Sequence, residues 1–276
     1  MQIPIDTRPL FRPLDTLLIE LLESLSEEDW EKQTVASKWK VKDVAAHLLD
    51  GNLRALSMQR DKYLGEQPPK IEGYTDLVGW LNQLNADWVK AMQRLSPKVL
   101  TMLHRLTGPE LSAYFESLDP WGEAIFAVDW AGEDKSFNWM HLAREYTEKW
   151  HHQQQIRDAV GKEGIMTQQY FAPLMETFFK AMPHTFRAVN ADEGTLIHTI
   201  ISPEVAGEWF LEKKEKGWTL VPNPFRTAEA QVFIPAQIAW KLFSKNVRPK
   251  DVLQEVRISG DQTLGLRVLE MVSVMA

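Results

Sequence analysis

The chain contains no cysteine. That excludes a disulfide framework, a thiolate zinc site, an iron–sulfur cluster and a cysteine nucleophile. Any metal centre must use nitrogen and oxygen ligands, and any thiol chemistry must bring its thiol from outside. An excess of positive charge is also missing: 31 Lys and Arg stand against 38 Asp and Glu, a net charge of −7. The densest basic stretch, Lys213, Lys214 and Lys216, is interrupted by Glu215 and reads as the solvated end of a hairpin. A nucleic-acid surface needs a clustered basic stripe, so nucleic acid is not an expected partner. No window approaches the roughly 20 apolar residues of a membrane span. Residues 1–6 lack the basic-then-apolar pattern of a signal peptide, so a cytoplasmic location is expected. There is no GxGxxG, no GxxxxGK[ST] and no GxSxG, which removes local support for nucleotide binding and serine hydrolysis.

What is present is an ordinary globular balance, 44% apolar and 25% charged over 276 residues, enough to bury a core. Apolar spacings of three and four predict helices over Leu14–Leu25, Val41 to about Leu64, and Leu77–Leu95. Ser26 followed by Glu27, Glu28 and Asp29 restarts a helix with an N-cap and an acidic first turn. Residues 98–118 predict one or two shorter helices, broken at Gly108-Pro109. Asp119-Pro120-Trp121-Gly122 is turn chemistry. Ala124–Val128 fits a short strand or an irregular loop. A long helix follows from about Phe137 to Val160, ended by Gly161, and another over Thr167–Ala181, ended near Pro183. Beyond about residue 190 the pattern changes. Strands are expected at Gly194–Ile201, Gly217–Val221, Ala230–Ile234 and Val256–Ile258. Helices are expected at Pro235–Phe243 and from Gly260-Asp261 to Val274. The fold class is therefore mainly α with an α+β C-terminal part, divided as a helical bundle over residues 1–188 and an α+β domain over 189–276.

Two segments carry chemistry. In the first, His141, Glu145, Glu148 and His152 fall within a stripe roughly 60° wide on a helix. A carboxylate and an imidazole at i and i+4 can chelate one divalent ion from a single helix. Both His141/Glu145 and Glu148/His152 have that spacing, which also arises by chance on solvated faces. Arg144, Gln153 and Gln154 read as solvated residues. In the second segment, Trp39-Lys-Val41-Lys-Asp43-Val44-Ala-Ala-His47-Leu48, His47 lies off the apolar stripe beside Asp43, Asp50 and Arg54. Alone it reads as a surface histidine.

Together the segments resemble the DinB/YfiT-like superfamily. The pattern W-x-V-x-D-V-x-x-H-L resembles its first ligand helix. Glu148-x-x-x-His152-x-x-Gln155-Ile156 resembles the later one, with Glu where many members have His. That choice is similar to the mycothiol-dependent maleylpyruvate isomerase branch. The ending Val256-Arg-Ile-Ser-Gly260-Asp261-Gln-Thr-Leu264-Gly-Leu266 resembles that branch's small sterol-carrier-like domain. The resemblance implies a four-helix bundle with a divalent site formed by His47, Glu148 and His152. Zinc is the usual ion, and nickel and iron(II) suit the same donors. It further implies a low-molecular-weight thiol cosubstrate, deprotonated at the metal, and a small electrophile. Thiol addition to a double bond would permit cis–trans rotation before elimination, and related members would use the site for S-transfer. Asp43, Asp50 and Glu145 are candidate partners that orient the histidines. A basic residue of the C-terminal part would hold a substrate carboxylate, with Arg226, Arg257 and Arg267 available.

Other residues receive plainer readings. Trp80 and Trp88 are expected in the core. Trp121, Trp130 and Trp139 fit core packing better than a pocket lining. His151 points about 100° away from His152 and is not expected to share the metal. His104, His184 and His198 carry no partner pattern. A metal-dependent thiol isomerase or transferase is the leading reading, as a monomer or homodimer without membrane association. A non-catalytic small-molecule or lipid-binding protein with a structural metal is the alternative.

Overall fold

The computed structural model describes residues 2–201 and 207–274. Helix α1 spans Arg8–Glu23, starting well before Leu14. Pro9 sits in its first turn, where a missing N–H loses nothing. Pro13 gives up one internal bond, and buried Phe11, Leu14, Leu18, Leu21 and Leu22 hold the helix in place regardless. Ser26 and Asp29 form the expected capping box of α2 (Glu27–Trp30). Helix α3 (Val41–Arg54) runs on as a π-helical turn, Ala55–Arg60. Helix α4 covers Tyr74–Met92, and Trp88 ties it to α3 through an Nε1–H···O bond of 2.8 Å to Ala46.

Helix α5 (Pro97–Ser117) is one unbroken helix, which corrects the break expected at Gly108-Pro109. Gly108 is small because α1 passes over it: a Cβ there would lie 3.0 Å from Asp15 Oδ2. Residues 119–135 form turns, an isolated bridge from Glu123 to Phe137 and a 3-10 turn at Asp129–Ala131. Helix α6 (Asn138–Val160) ends, as expected, on Gly161 in the left-handed region at φ +67°. Helices α7 (Gln168–Phe178) and α8 (Met182–Phe186) follow, and Pro183 opens α8 instead of ending a helix.

Helix α1 packs on α5 and α6, and α3 packs on the same two, so these four helices close a ring. A buried polar node ties the ring together. Lys149 of α6 donates to Asp15 Oδ1 of α1 at 2.6 Å and to Asn52 Oδ1 of α3 at 2.8 Å. Ser112 of α5 donates to Asp15 Oδ2 at 3.3 Å. The ring therefore contributes one or more polar side chains from each helix.

The C-terminal part is a five-stranded sheet of order β3-β2-β1-β4-β5. The strands are β1 (Leu196–Ile201), β2 (Glu208–Lys214), β3 (Gly217–Val221), β4 (Ala230–Ile234) and β5 (Arg257–Gly260). All pairings are antiparallel except β1 with β4, where Thr199 pairs with Val232. Helix α9 (Ala236–Phe243) agrees with expectation, while α10 (Gln262–Val268) stops short of Val274. The reason is visible at Ser273: its N–H bonds Phe243 O at 3.0 Å and its hydroxyl bonds Phe178 O at 2.9 Å. Those tertiary bonds replace helical ones. Phe179 stacks on Trp209 at 4.0 Å and Phe186 packs on Trp218 at 5.2 Å, so bundle and sheet share one apolar core. Among the described residues, no helix is long and apolar enough to cross a membrane.

Candidate functional site

Helices α3 and α6 face each other in the ring, and their contact brings His47 to His152. The two imidazole centroids are 4.6 Å apart at 78°. Trp39 flanks both, 4.7 Å from His47 and 6.0 Å from His152. One turn before His152, Glu148 places Oε2 at 3.4 Å from His152 Nε2. These three side chains, with Gly51, Asn52, Glu145 and Lys149, line a cavity of about 40 Å³. That volume suits an ion with a water-sized group beside it.

Burial and the neighbouring His152 and Arg54 hold the His47 imidazole well below its ordinary pKa, so it is neutral at pH 7. Its Nδ1 is buried with no hydrogen-bond partner among the described residues. His152 Nδ1 lies 2.9 Å from Gln155 Oε1, an atom that can only accept. His152 Nδ1 thus has an acceptor in Gln155, and Nε2 lies on the Glu148 side. At the cavity wall burial pushes Glu145 up, but Arg144 and His141 outweigh it and hold the carboxyl below its usual range.

A divalent ion is implied by the resemblance, and the side chains fit it. Two imidazole nitrogens and one carboxylate are a nitrogen–oxygen set suited to zinc, nickel or iron(II), and an orphaned buried nitrogen faces no competing partner. In the present side-chain arrangement, no group of three His, Asp or Glu among the described residues forms a complete ion site. Glu148 is turned to His152 in this arrangement.

The second expected pair is otherwise engaged. His141 donates from Nε2 to Gln59 Oε1 at 3.0 Å and accepts from Arg144 at Nδ1 at 3.1 Å. Its pKa falls to about 4 through burial, partly opposed by Glu145. Asp43 caps α3, accepting from Lys40 N at 2.9 Å and Gln93 Nε2 at 2.5 Å, and Asp50 pairs with Arg54 at 2.9 Å. The partner that holds His152 is instead Gln155. Helix α6 is enclosed by α1, α3 and α7, so the solvated reading of Gln153 and Gln154 is corrected: they are 1% and 6% exposed. Arg144 is half-buried and pairs with Glu145 at 2.5 Å.

Of the three C-terminal arginines, Arg226 binds Gly194 O and Glu212, and Arg267 donates to Thr185 O at 2.7 Å. Arg257 lies over the Phe233 ring at 4.6 Å, in a groove of the sheet lined by Ile200, Leu253 and Leu266. All three hold places in the α+β part; none lines the histidine cavity. Trp121 packs on exposed Phe137 at 5.6 Å, and Trp121, Trp130 and Trp139 are all half-buried. His104 is buried and donates to Ala45 O at 2.9 Å, a purely structural bond between α5 and α3. The residue that sequence patterns missed is Asn246, which reaches His151 Nε2 at 2.8 Å and Gln155 at 3.1 Å from the loop after α9. A lone Asn in a loop carries no spacing signal.

Two solved structures, of the mycothiol-dependent maleylpyruvate isomerase and of a histidine-to-alanine variant of it, each match at 12% identity. Each alignment covers 91% of both chains at a TM-score of 0.55, which shows the shared fold. A match to the sterol carrier protein domain 2 of Helicoverpa armigera covers 37% of this chain at a TM-score of 0.24, too low to carry an argument. No curated protein sequence matches the chain. Residues 11–157, just over half of the chain, match the profile of the mycothiol maleylpyruvate isomerase N-terminal domain, and the chain belongs to that family.

Proposed function

We propose that the chain is a metal-dependent enzyme that activates a low-molecular-weight thiol for isomerisation or S-transfer on a small electrophile. His47, Glu148 and His152 would hold the ion, with zinc as first candidate, and mycothiol is the first thiol to test. The observation that carries this reading is the convergence of His47 with Glu148 and His152, from two helices far apart in sequence, on one small cavity. A divalent ion bound there would let a thiol ionise near neutral pH.

The chain's own residues prepare that chemistry. Burial keeps His47 a neutral nitrogen donor, and the Gln155 bond fixes the orientation of the His152 ring. Glu148 brings the negative charge that offsets a divalent ion. The Lys149 ammonium is bound to Asp15 and Asn52. With no cysteine in the chain, no internal thiol competes for the ion.

Elemental analysis after zinc loading and desalting tests the reading. About one ion per chain is expected, lost in His152→Ala; less than about 0.2 per chain overturns it. Loaded protein is then assayed with mycothiol and maleylpyruvate, and with the thiol omitted. Activity without thiol would refute the cosubstrate role.

A further inference from the structure

We propose that Asn246, a residue of the C-terminal part, is a positioning residue that sets the tautomer of His152 through a one-way chain of hydrogen bonds. The inference rests on the metal reading only for its purpose; the tautomer itself is independent of any ion.

The chain of bonds begins at a backbone carbonyl, which can only accept. Ser244 Oγ–H donates to Trp240 O at 2.6 Å, so its one proton is committed and the oxygen is left to accept. Asn246 Nδ2 donates to that oxygen at 2.6 Å and to His151 Nε2 at 2.8 Å. With its amide nitrogen so placed, Asn246 must present Oδ1 to Gln155, whose Nε2 donates to it at 3.1 Å. Gln155 then turns Oε1 toward His152 Nδ1 at 2.9 Å, and His152 must donate there. With a single ring proton, His152 then leaves Nε2, the nitrogen 3.4 Å from Glu148 Oε2, unprotonated. Each link forces the next because an amide has one donor end and one acceptor end.

His151 locks the same direction. Its Nε2 accepts from both Asn246 Nδ2 and Gln155 Nε2, the latter at 3.1 Å, which leaves its proton to Nδ1, a buried nitrogen without a partner among the described residues. Without Asn246, His151 could carry the proton on Nε2 and donate to a flipped Gln155, and His152 would follow. The presentation of Asn246 is built into the backbone. Lys245 adopts φ +59°, a conformation that favours glycine, and the turn returns the Asn246 N–H to Lys241 O at 2.8 Å. All of Gln155 is buried, 2% exposed, so water cannot scramble the order.

The test is nitrogen-15 NMR of histidine-labelled, metal-free protein, which reads which ring nitrogen of His152 carries the proton. The wild type is expected to show Nδ1–H. Asn246→Leu is expected to shift His152 partly or wholly to Nε2–H, with the urea midpoint showing that the protein is folded; Ser244→Ala serves if it is not. The double variant Asn246→Leu/Gln155→Glu is expected to restore Nδ1–H, because a carboxylate has no donor end to present. Nε2–H in the wild type, both nitrogens protonated in the wild type, or unchanged Nδ1–H in Asn246→Leu, overturns the proposal. Zinc titration of Asn246→Leu should show a 10- to 100-fold loss of affinity, the usual effect of removing such a partner. If the tautomer responds as stated while the wild type binds no zinc, the positioning chain stands and the metal reading falls.

Discussion

Replacing Lys149 by Met removes one charge from the centre of the four-helix ring and leaves the other behind. The Lys149 ammonium and the Asp15 carboxylate are each only 10% exposed along their side chains. Met keeps the apolar stem, so packing changes little and the loss is electrostatic. Asp15 retains Ser112 at 3.3 Å as a weak neutral donor, and Asn52 Oδ1 loses its 2.8 Å bond. Breaking a buried pair from one side costs about 3–5 kcal/mol. For a chain of this size that lowers the thermal midpoint by about 5–10 °C. Urea unfolding followed by circular dichroism measures the free energy. Asp15→Leu/Lys149→Met is the companion: with no charge stranded, it should recover to within about 1–2 kcal/mol of wild type. A single-variant cost below about 1 kcal/mol would show that the pair is effectively solvated. A double variant no better than the single would show that the loss is packing and not charge.

Three further outcomes are expected. His104 and His141 both have pKa values lowered to about 4 by burial, below the roughly 6.5 of an unfolded histidine. Their neutral forms stabilise the fold fully above pH 6.5, and that stability is lost as pH falls toward 4, about 2 kcal/mol for each by pH 5. His104→Gln, which keeps a donor for Ala45 O, should flatten that slope in urea titrations; an unchanged slope would refute the assignment. Gly260→Ala should destabilise by about 3 kcal/mol, since φ is +78° and a Cβ would run into the Glu229 carbonyl; calorimetry showing less than about 1 kcal/mol would count against that geometry. Zinc at 100 times its Kd should raise wild-type stability by about 2.7 kcal/mol and leave His47→Ala unmoved; equal shifts in both would place the ion elsewhere.

The residues that were legible in the sequence are those with a local signature. Ser26 and Asp29 announced a cap, Gly161 a helix end, and alternating residues marked β3 and β4 with their limits. Breakers misled where tertiary packing outweighed them: Pro13 lies inside α1, and Pro109 inside α5, because buried apolar faces carry those helices through. The polarity of α6 misled as well. Gln153 and Gln154 read as solvated, yet neighbouring helices bury them. Strand β2 (Glu208–Lys214) was visible only as the foot of a hairpin, since Glu208, Glu212, Lys213 and Lys214 dilute its apolar pattern. At the site, helical spacing brought Glu148 to His152, but no local rule brings His47 beside them or Asn246 to Gln155. Those contacts are set by how helices and loops distant in sequence pack.

The closure of the helical ring has a consequence for how the chain emerges during synthesis. The buried face of α1 meets α5 and α6, and its Asp15 finds Lys149 134 positions later. At roughly 5–20 residues per second, α1 waits on the order of ten seconds for that partner to be made. Phe115 reaches Phe11 once α5 is made, but Tyr146 of α6, the other ring packed on Phe11, arrives only near the end of that interval. A nascent chain of this design depends on whatever shields an exposed apolar helix at the ribosome, and truncations that end before α6 should be captured by holdase chaperones rather than fold.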